Sequence, residues 1–315
     1  MVFPLPLRVL LVAEESAGVQ LLQAVHDSRF QIAAVMATPP HEGQAGGAVW
    51  SAARKRGIEL WPAALVRDSA TARRIREAQV DILLNAHSLH VIRDEVLQAP
   101  RIGAFNLHPG PLPRYAGLNA VSWAIYNGER EHGVTVHRMD PGIDTGPIVD
   151  QAMFAIESDD TALSLAGKCS RIGIRLMLRL LEQAAADPES IPLAPQDLRA
   201  RQYFGRQVPN QGMIDWRARA GQIRNLVRAC DYGPFRSPWG HARTYVGGIQ
   251  AEILKVAQTG CACDQPPGTV GAIGGEGALI ATADEWLRVV KLRLGERTCH
   301  PAGVLRTMQR LQDSP

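Results

Sequence analysis

Residues Leu7 to Met36, LRVLLVAEESAGVQLLQAVHDSRFQIAAVM, decide the fold. The run Leu7 to Ala13 is mostly apolar and of strand length, Gly18 to His26 places apolar residues at helical spacing, and Phe30 to Met36 is a second apolar run. Strand, helix and strand in so short a span imply a parallel sheet with helices on both faces. The pattern continues, with helices predicted at Gly47 to Arg56 and Ala70 to Gln79, a buried strand at Val80 to Leu84, and another at Ile102 to Leu107. Ligands of such sheets sit beyond the carboxyl ends of the strands. Asn106 and His108 end the last of these strands, ahead of a stretch rich in Pro and Gly, and are therefore well placed for chemistry.

Further along, Leu118 to Asn127 reads as a helix, Gly133 to Met139 as a strand, Asp140 to Gly146 as a turn-rich loop and Pro147 to Phe154 as a strand. Ser158, Asp159, Asp160 and Thr161 offer N-caps for a long amphipathic helix reaching about Ala186. From Asp187 to Gln211 the chain lacks periodicity, which suits a linker. Ile214 to Ala229 reads as a helix, followed by the Gly and Pro cluster Tyr232 to Gly240. Short strands are then expected at Thr244 to Val246, Ala251 to Val256, Gly268 to Ile273, Ala278 to Ala281 and Trp286 to Leu292. The expected fold is α/β, a doubly wound and mostly parallel sheet over residues 1–188. A linker at 189–211 and a smaller C-terminal OB-like β-barrel at 212–315 complete it.

A chain of 315 residues is longer than one core usually supports, and 46% hydrophobic against 21% charged residues excludes a disordered protein. The formal net charge of +3 does not point to a nucleic-acid or membrane-surface protein, and the mild positive excess after Asn210 reads as a solvated surface. Cys169, Cys230, Cys261, Cys263 and Cys299 show no paired spacing of the zinc-site kind, so no metal is expected. The N-terminus holds Pro4, Pro6 and Arg8 and runs into Glu14 and Glu15, which fits a buried strand better than a signal peptide. No apolar run has the length of a membrane span, and a cytoplasmic protein is expected.

Singly, an Asn, a His or an Asp says little. Here Phe105-Asn106-Leu107-His108-Pro109, Pro111-Leu112-Pro113-Arg114-Tyr115-Ala116-Gly117, Asn127-Gly128-Glu129, Gly133-Val134-Thr135-Val136-His137 and Met139-Asp140-Pro141-Gly142-Ile143-Asp144-Thr145-Gly146 follow in order with short gaps. With these motifs the chain resembles the folate-dependent formyltransferases, which include methionyl-tRNA, glycinamide ribonucleotide and sugar N-formyltransferases. The likeness extends through Gly212-Met213-Ile214-Asp215-Trp216 into the C-terminal barrel of the tRNA and lipid-sugar branches. It implies Asn106, His108 and Asp144 as the catalytic trio and 10-formyltetrahydrofolate as the donor, with no metal. Attack of an uncharged amine on a formyl carbon builds an oxyanion, which Asn106 and His108 are suited to stabilise. His108 also suits proton transfer near neutral pH, and Asp144 suits its orientation and the acceptance of the amine's proton. The resemblance further places the pterin ring near Ser88, Leu89, His90 and Ile92, with Asp140 and Gly142 closing the other side, and the acceptor near Arg114, Tyr115 and Gly117. His87 and His90 are read as polar side chains of a surface loop rather than as extra catalysts.

Two departures from the family pattern fall on the acceptor side. The common Ser-Leu-Leu-Pro is replaced by Gly110-Pro111-Leu112-Pro113, and the Gly-Thr-Pro turn of the tRNA enzymes by Glu14-Glu15-Ser16-Ala17-Gly18. The tRNA enzymes also carry a basic insertion after the second strand, whereas Ala37 to Ala53 contains neither Lys nor Arg. Phosphate contacts dominate tRNA affinity, so the expected acceptor is a small amine or hydroxylamine, either a nucleotide-linked amino sugar or an ornithine-type precursor. Methionyl-tRNA formyltransferase is the alternative, with a formyltetrahydrofolate hydrolase and a non-catalytic folate-binding module behind it. The oligomeric state is left open.

Overall fold

The computed structural model describes residues 6–41, 46–88 and 90–312. It divides into two compact units that alternate along the sequence. One comprises Met1–Gly117, His132–Phe154 and Ala166–Tyr203, and the other Leu118–Glu131, Ala155–Leu165 and Phe204–Pro315.

In chain order the strands and helices down to the middle of the chain are β1 (Arg8–Ala13), α1 (Glu15–His26), β2 (Gln31–Ala37), α2 (Ala48–Lys55), β3 (Leu60–Pro62), α3 (Thr71–Glu77), β4 (Ile82–Ala86), α4 (Asp94–Leu97), β5 (Gly103–His108), β6 (Ala116–Gly117), α5 (Ala120–Tyr126), β7 (Glu131–Arg138), β8 (Ile148–Ala155) and α6 (Ala162–Ala186). The first unit is built on a sheet of order β3-β2-β1-β4-β5-β7-β8. Strands β3 to β5 pair in parallel and β7 pairs antiparallel with β5. Strand order reverses between β1 and β4, the doubly wound pattern expected from the first 36 residues. One face packs Leu10, Val12, Ala34, Met36, Leu83 and Ala104 against Trp61, Ile75 and Val96. Truncating one of the buried leucines there to alanine would cost ~2–5 kcal/mol.

Strand β4 lies two residues later than Val80 to Leu84, the span read from hydrophobicity. Val80 instead ends the turn after α3 by donating its N–H to the Ile75 carbonyl. Asp81 marks the strand's start, its carboxylate accepting from the Arg8 main chain at 2.8 Å and from Arg101. The strand therefore runs on through Asn85, a polar residue in a fully paired position.

The remaining elements are β9 (Tyr203–Phe204), α7 (Ala220–Ala229), β10 (Ala242–Val246), β11 (Ile249–Ala262), β12 (Val270–Gly274), β13 (Gly277–Ala281), β14 (Glu285–Leu294), β15 (Arg297–Cys299) and β16 (Leu311–Gln312). The second unit carries a curled antiparallel sheet of order β12-β13-β14-β11-β10-β16, with β15 on β14. Its ends meet: Val270 donates to Gln309 O and Leu311 to Gly268 O, both at 2.8 Å. Inside, Trp216 Nε1 donates to Thr244 Oγ1 at 2.9 Å, and the same hydroxyl donates to Gln312 O. Helix α7 starts six residues later than the apolar periodicity from Ile214 suggested. Ile214 is taken by the sheet, donating to Arg243 O at 2.8 Å, and the Asp284 carboxylate caps the Ala220 N–H at 2.9 Å.

Candidate active site

Register places the site. Across the sheet Val12 lies beside Asn85, Asn85 beside Asn106 and Asn106 beside His137, so one row runs from β1 through β4 and β5 to β7. Three polar side chains fill the row from β4 to β7 and lie in contact in sequence: Asn85 Nδ2 donates to Asn106 Oδ1 at 2.7 Å, and Asn106 Nδ2 lies 3.1 Å from His137 Nε2. His108 closes β5 two residues beyond Asn106, paired with Thr135.

The loop after β5 is pinned to its neighbours. Thr135 Oγ1 donates to Gly110 O at 2.7 Å and accepts from Leu112 N, while His132 Nε2 donates to Pro109 O at 2.9 Å. Gln151 Nε2 bridges Leu112 O and Thr135 Oγ1. So held, the loop turns at Tyr115, in the left-handed region at φ 56°. Its carbonyl there accepts the His108 Nε2 proton at 2.7 Å. Gly117 follows and donates its N–H to Asp144 Oδ2 at 2.8 Å.

Asp144 reaches this point from the loop between β7 and β8, itself at φ 55°. Gly146 is required there, because a Cβ would run into the Arg138 carbonyl. Gln196 Nε2 donates to Asp144 O at 3.0 Å and to Gly146 O at 2.6 Å, and Arg201 Nη2 donates to Ile143 O at 2.9 Å. The segment read from sequence as a plain linker thus braces the loop that carries the carboxylate. Asp144 becomes the hub: its carboxylate oxygens lie 3.4 Å from His108 Nδ1, 3.4 Å from His137 Nε2 and 3.5 Å from Asn106 Nδ2.

Protonation states follow from these partners. Burial pushes the Asp144 carboxyl up, but the His108 ring, the hydrogen bond of His137 and the Gly117 N–H outweigh it. The group is held well below the ordinary carboxylate range and is ionised at neutral pH. Burial pushes the His108 imidazolium the other way, toward its neutral form, and Asp144 and the Tyr115 carbonyl offset only part of this. A carbonyl only accepts, so Nε2 of neutral His108 keeps the hydrogen and Nδ1 presents a lone pair beside the carboxylate. A proton arriving at His108 must therefore settle on Nδ1, facing Asp144.

The trio read from the sequence, Asn106, His108 and Asp144, is thus brought together. Tyr115 and Gly117 touch it through their main chains, whereas Arg114 is exposed over the Tyr115 ring, 5.4 Å from its centroid. Ser88 Oγ accepts the His90 N–H at 3.2 Å, and His90 Nδ1 is buried with no partner among the described residues. Ile92 is packed in the core below the sheet. Leu89 lies outside the described residues. Asp140 accepts from Thr145 Oγ1 at 2.7 Å, and Gly142 is exposed at the turn of the same loop. His87 Nδ1 pairs with Glu15 Oε2 at 3.3 Å, which holds that carboxyl below its usual range despite burial.

A sequence model of formyl transferases matches residues 7–181, and a model of the formyl transferase C-terminal domain matches residues 207–309. The chain belongs to the formyl transferase family. Solved structures of similar fold include an N-formyltransferase from Helicobacter canadensis in complex with folinic acid and dTDP-3-aminofucose, at TM-score 0.68 and 20% identity over 90% of this chain and 99% of that one. Another is WlaRD, a sugar 3N-formyl transferase solved with dTDP and 5-N-formyl-THF, at TM-score 0.67 and 20% identity over 90% and 97% of the two chains. HypX from Aquifex aeolicus in complex with tetrahydrofolic acid matches at TM-score 0.62 and 18% identity, over 95% of this chain and 46% of its own. No group of His, Cys, Asp and Glu among the described residues is placed to hold a metal ion, and no described helix is long and apolar enough to cross a membrane.

Two residues of this cluster carried no role in the sequence reading. His137 ends the motif Gly133-Val134-Thr135-Val136-His137, but only the antiparallel register of β7 on β5 sets it beside Asn106. Asn85 had one available signal, an amide in an otherwise apolar run, Ile82-Leu83-Leu84-Asn85-Ala86.

Proposed function

We propose that the site at Asn106, His108 and Asp144 transfers the formyl group of 10-formyltetrahydrofolate to the amine or hydroxylamine of a small metabolite. The observation that supports this reading most is the hub itself: one buried carboxylate reaches both the His108 ring and the Asn106 amide at the carboxyl edge of the sheet, in a chain of the formyl transferase family. The donor, when bound, supplies an activated formyl carbon and a nitrogen leaving group. Asn106 keeps one N–H loosely held, 3.5 Å from Asp144, which is free to strengthen toward an oxygen gaining negative charge. His108 Nδ1 is the station for the proton leaving the amine, and Asp144 stabilises the imidazolium so formed. The same proton is then available to the departing nitrogen.

The donor fits the carboxyl end of β4. His90 Nδ1, buried with no partner among the described residues, and the polar groups of Ser88 suit the edge of a heteroaromatic ring, and Asp140 and Gly142 are assigned to its other side. Arg114, Tyr115 and Gly117 are assigned to the acceptor side, and all these residues to a catalytic domain at 1–188, ahead of a linker at 189–211 and a second domain at 212–315. The Helicobacter canadensis protein's complex with dTDP-3-aminofucose supports a nucleotide-linked amino sugar as acceptor. An ornithine-type amine is the other member of the class. Initiator tRNA is disfavoured by the cation-free stretch from Ala37 to Ala53.

The test is incubation of the full chain with 10-formyltetrahydrofolate and a panel of dTDP-amino sugars, ornithine derivatives, hydroxylamines and methionyl-tRNA, with mass detection of products. A formylated small amine is the expected result. Formylated methionyl-tRNA would replace this acceptor with the macromolecule, and free formate alone would replace transfer with hydrolysis.

A further inference from the structure

The geometry points to Asn85 as a positioning residue that fixes the amide orientation of Asn106, an inference that rests on the catalytic role proposed for Asn106. The polar row ends on His137, beside the Asp144 carboxylate. The Asp144 carboxylate, which only accepts, lies 3.5 Å from Asn106 Nδ2, and His137 Nδ1, 3.0 Å from the Arg138 carbonyl, carries a hydrogen. Asn106 must then turn its NH2 toward the Asp144 carboxylate, with Nδ2 3.1 Å from His137 Nε2. Its Oδ1 faces β4, where Asn85 Nδ2 meets it at 2.7 Å. Each bond dictates the next, and Asn85 is left as the obligatory donor.

The cost of this arrangement argues that the position serves Asn106. Asn85 is 8% exposed in the middle of a five-strand parallel array, and its Oδ1 is buried with no partner among the described residues. Asn is a poor strand residue, and an unsatisfied buried acceptor is destabilising, so an apolar residue would serve the sheet better. What an apolar residue lacks is the N–H that holds Asn106 Oδ1. Without it Asn106 Oδ1 is left without its partner, and the amide is anchored from the Asp144 side alone and loses the fixed aim of its N–H at the reaction centre.

Two isosteric substitutions separate this role from simple packing. In Asn85→Leu the donor is lost at every pH. In Asn85→Asp it is lost when the carboxylate is ionised and regained when it is protonated, because a neutral carboxyl again donates to Asn106 Oδ1. With 10-formyltetrahydrofolate and a small amine that the panel identifies, Asn85→Leu is expected to lower kcat by about tenfold or more while leaving the donor's KM within about twofold, part of the 100-fold or larger effect of deleting an oxyanion donor. The ratio of Asn85→Asp to wild-type kcat is expected to rise as pH falls from about 8 to about 5.5, through the range of a carboxyl raised by burial, and the Asn85→Leu ratio to stay flat. A substrate-free arm tracks Tm against pH. Asn85→Asp should regain stability relative to Asn85→Leu as pH falls, and Asn106→Leu in the same chain should abolish the regain. Wild-type kcat in Asn85→Leu, or a pH-independent ratio for Asn85→Asp, overturns the assignment. If Asn106→Ala keeps full activity, the catalytic reading of Asn106 fails instead, and the Tm arm still decides whether Asn85 orients it.

Discussion

Replacing Asp144 by Asn changes one atom at the hub and keeps its shape, which makes it the most informative single perturbation. The carboxylate faces His108 Nδ1 at 3.4 Å, so once that nitrogen is protonated the pair attracts by about 5 kcal/mol at an effective dielectric of about 20. An amide turns its oxygen to the Gly117 N–H and retains only a dipole toward the ring, so roughly 3 to 4 kcal/mol of transition-state stabilisation is lost, or about 100- to 1000-fold in kcat at ~1.4 kcal/mol per tenfold. Stability gives a second, independent signature. The Asp144 carboxyl is held below its ordinary range in the folded state, so its contribution is complete above the unfolded value near pH 4 and is lost as pH falls through the folded value. The Tm gap between wild type and Asp144→Asn should therefore be constant from about pH 5 to 8 and close at more acidic pH. Single-turnover formyl transfer and calorimetry across that range make the test. A kcat within about threefold of wild type, with the fold intact, would refute the hub as the source of catalysis.

Other expectations follow from the same contacts. Burial lowers the His108 pKa, so the unfolded chain binds that proton first and wild-type stability should fall as pH drops below about 6.5. Gln at position 108 should flatten this slope in a Tm series, leaving only the part contributed by His241, whose burial acts in the same direction. Gln196→Ala removes both main-chain bonds from the Asp144 loop and should cost ~1–2 kcal/mol and several-fold in kcat, read by denaturant unfolding and steady-state kinetics. An unchanged kcat would show that the loop holds its shape unaided. Turnover of a small acceptor should vary little between 50 and 200 mM salt, whereas an enzyme neutralising about 6 to 10 phosphates of a nucleic acid loses roughly a thousandfold in affinity over that range.

The first unit's architecture was legible because a doubly wound sheet writes itself locally: apolar runs alternate with helical periodicity, and neighbouring strands are mostly successive in the chain. The trio was legible because its three members sit at strand ends and in a turn with ordered motifs around them. Asn85, His137 and Gln196 were not, because their partners are 21, 31 and 52 residues away and meet only through strand register or the path of the segment after α6. Periodicity alone also misread residues 214 to 219, where apolar spacing compatible with a helix was overridden by pairing of Ile214 with Arg243. Hydrophobicity likewise set β4 too early, since it scores Val80 as strand and Asn85 as loop, while the backbone pairing does the reverse.

The central claim is that Asn106 and His108 move a formyl group rather than merely line a folate pocket. It is tested most directly by following carbon-13 from a formyl-labelled 10-formyltetrahydrofolate into a small amine, with the wild-type chain and with Asn106→Ala and His108→Ala. The label is expected in the amine product for wild type and at least about 100-fold more slowly in either variant, with folate binding retained. Equal rates of labelled product in all three chains, or wild-type protein that binds the donor and yields no labelled amine, would contradict it.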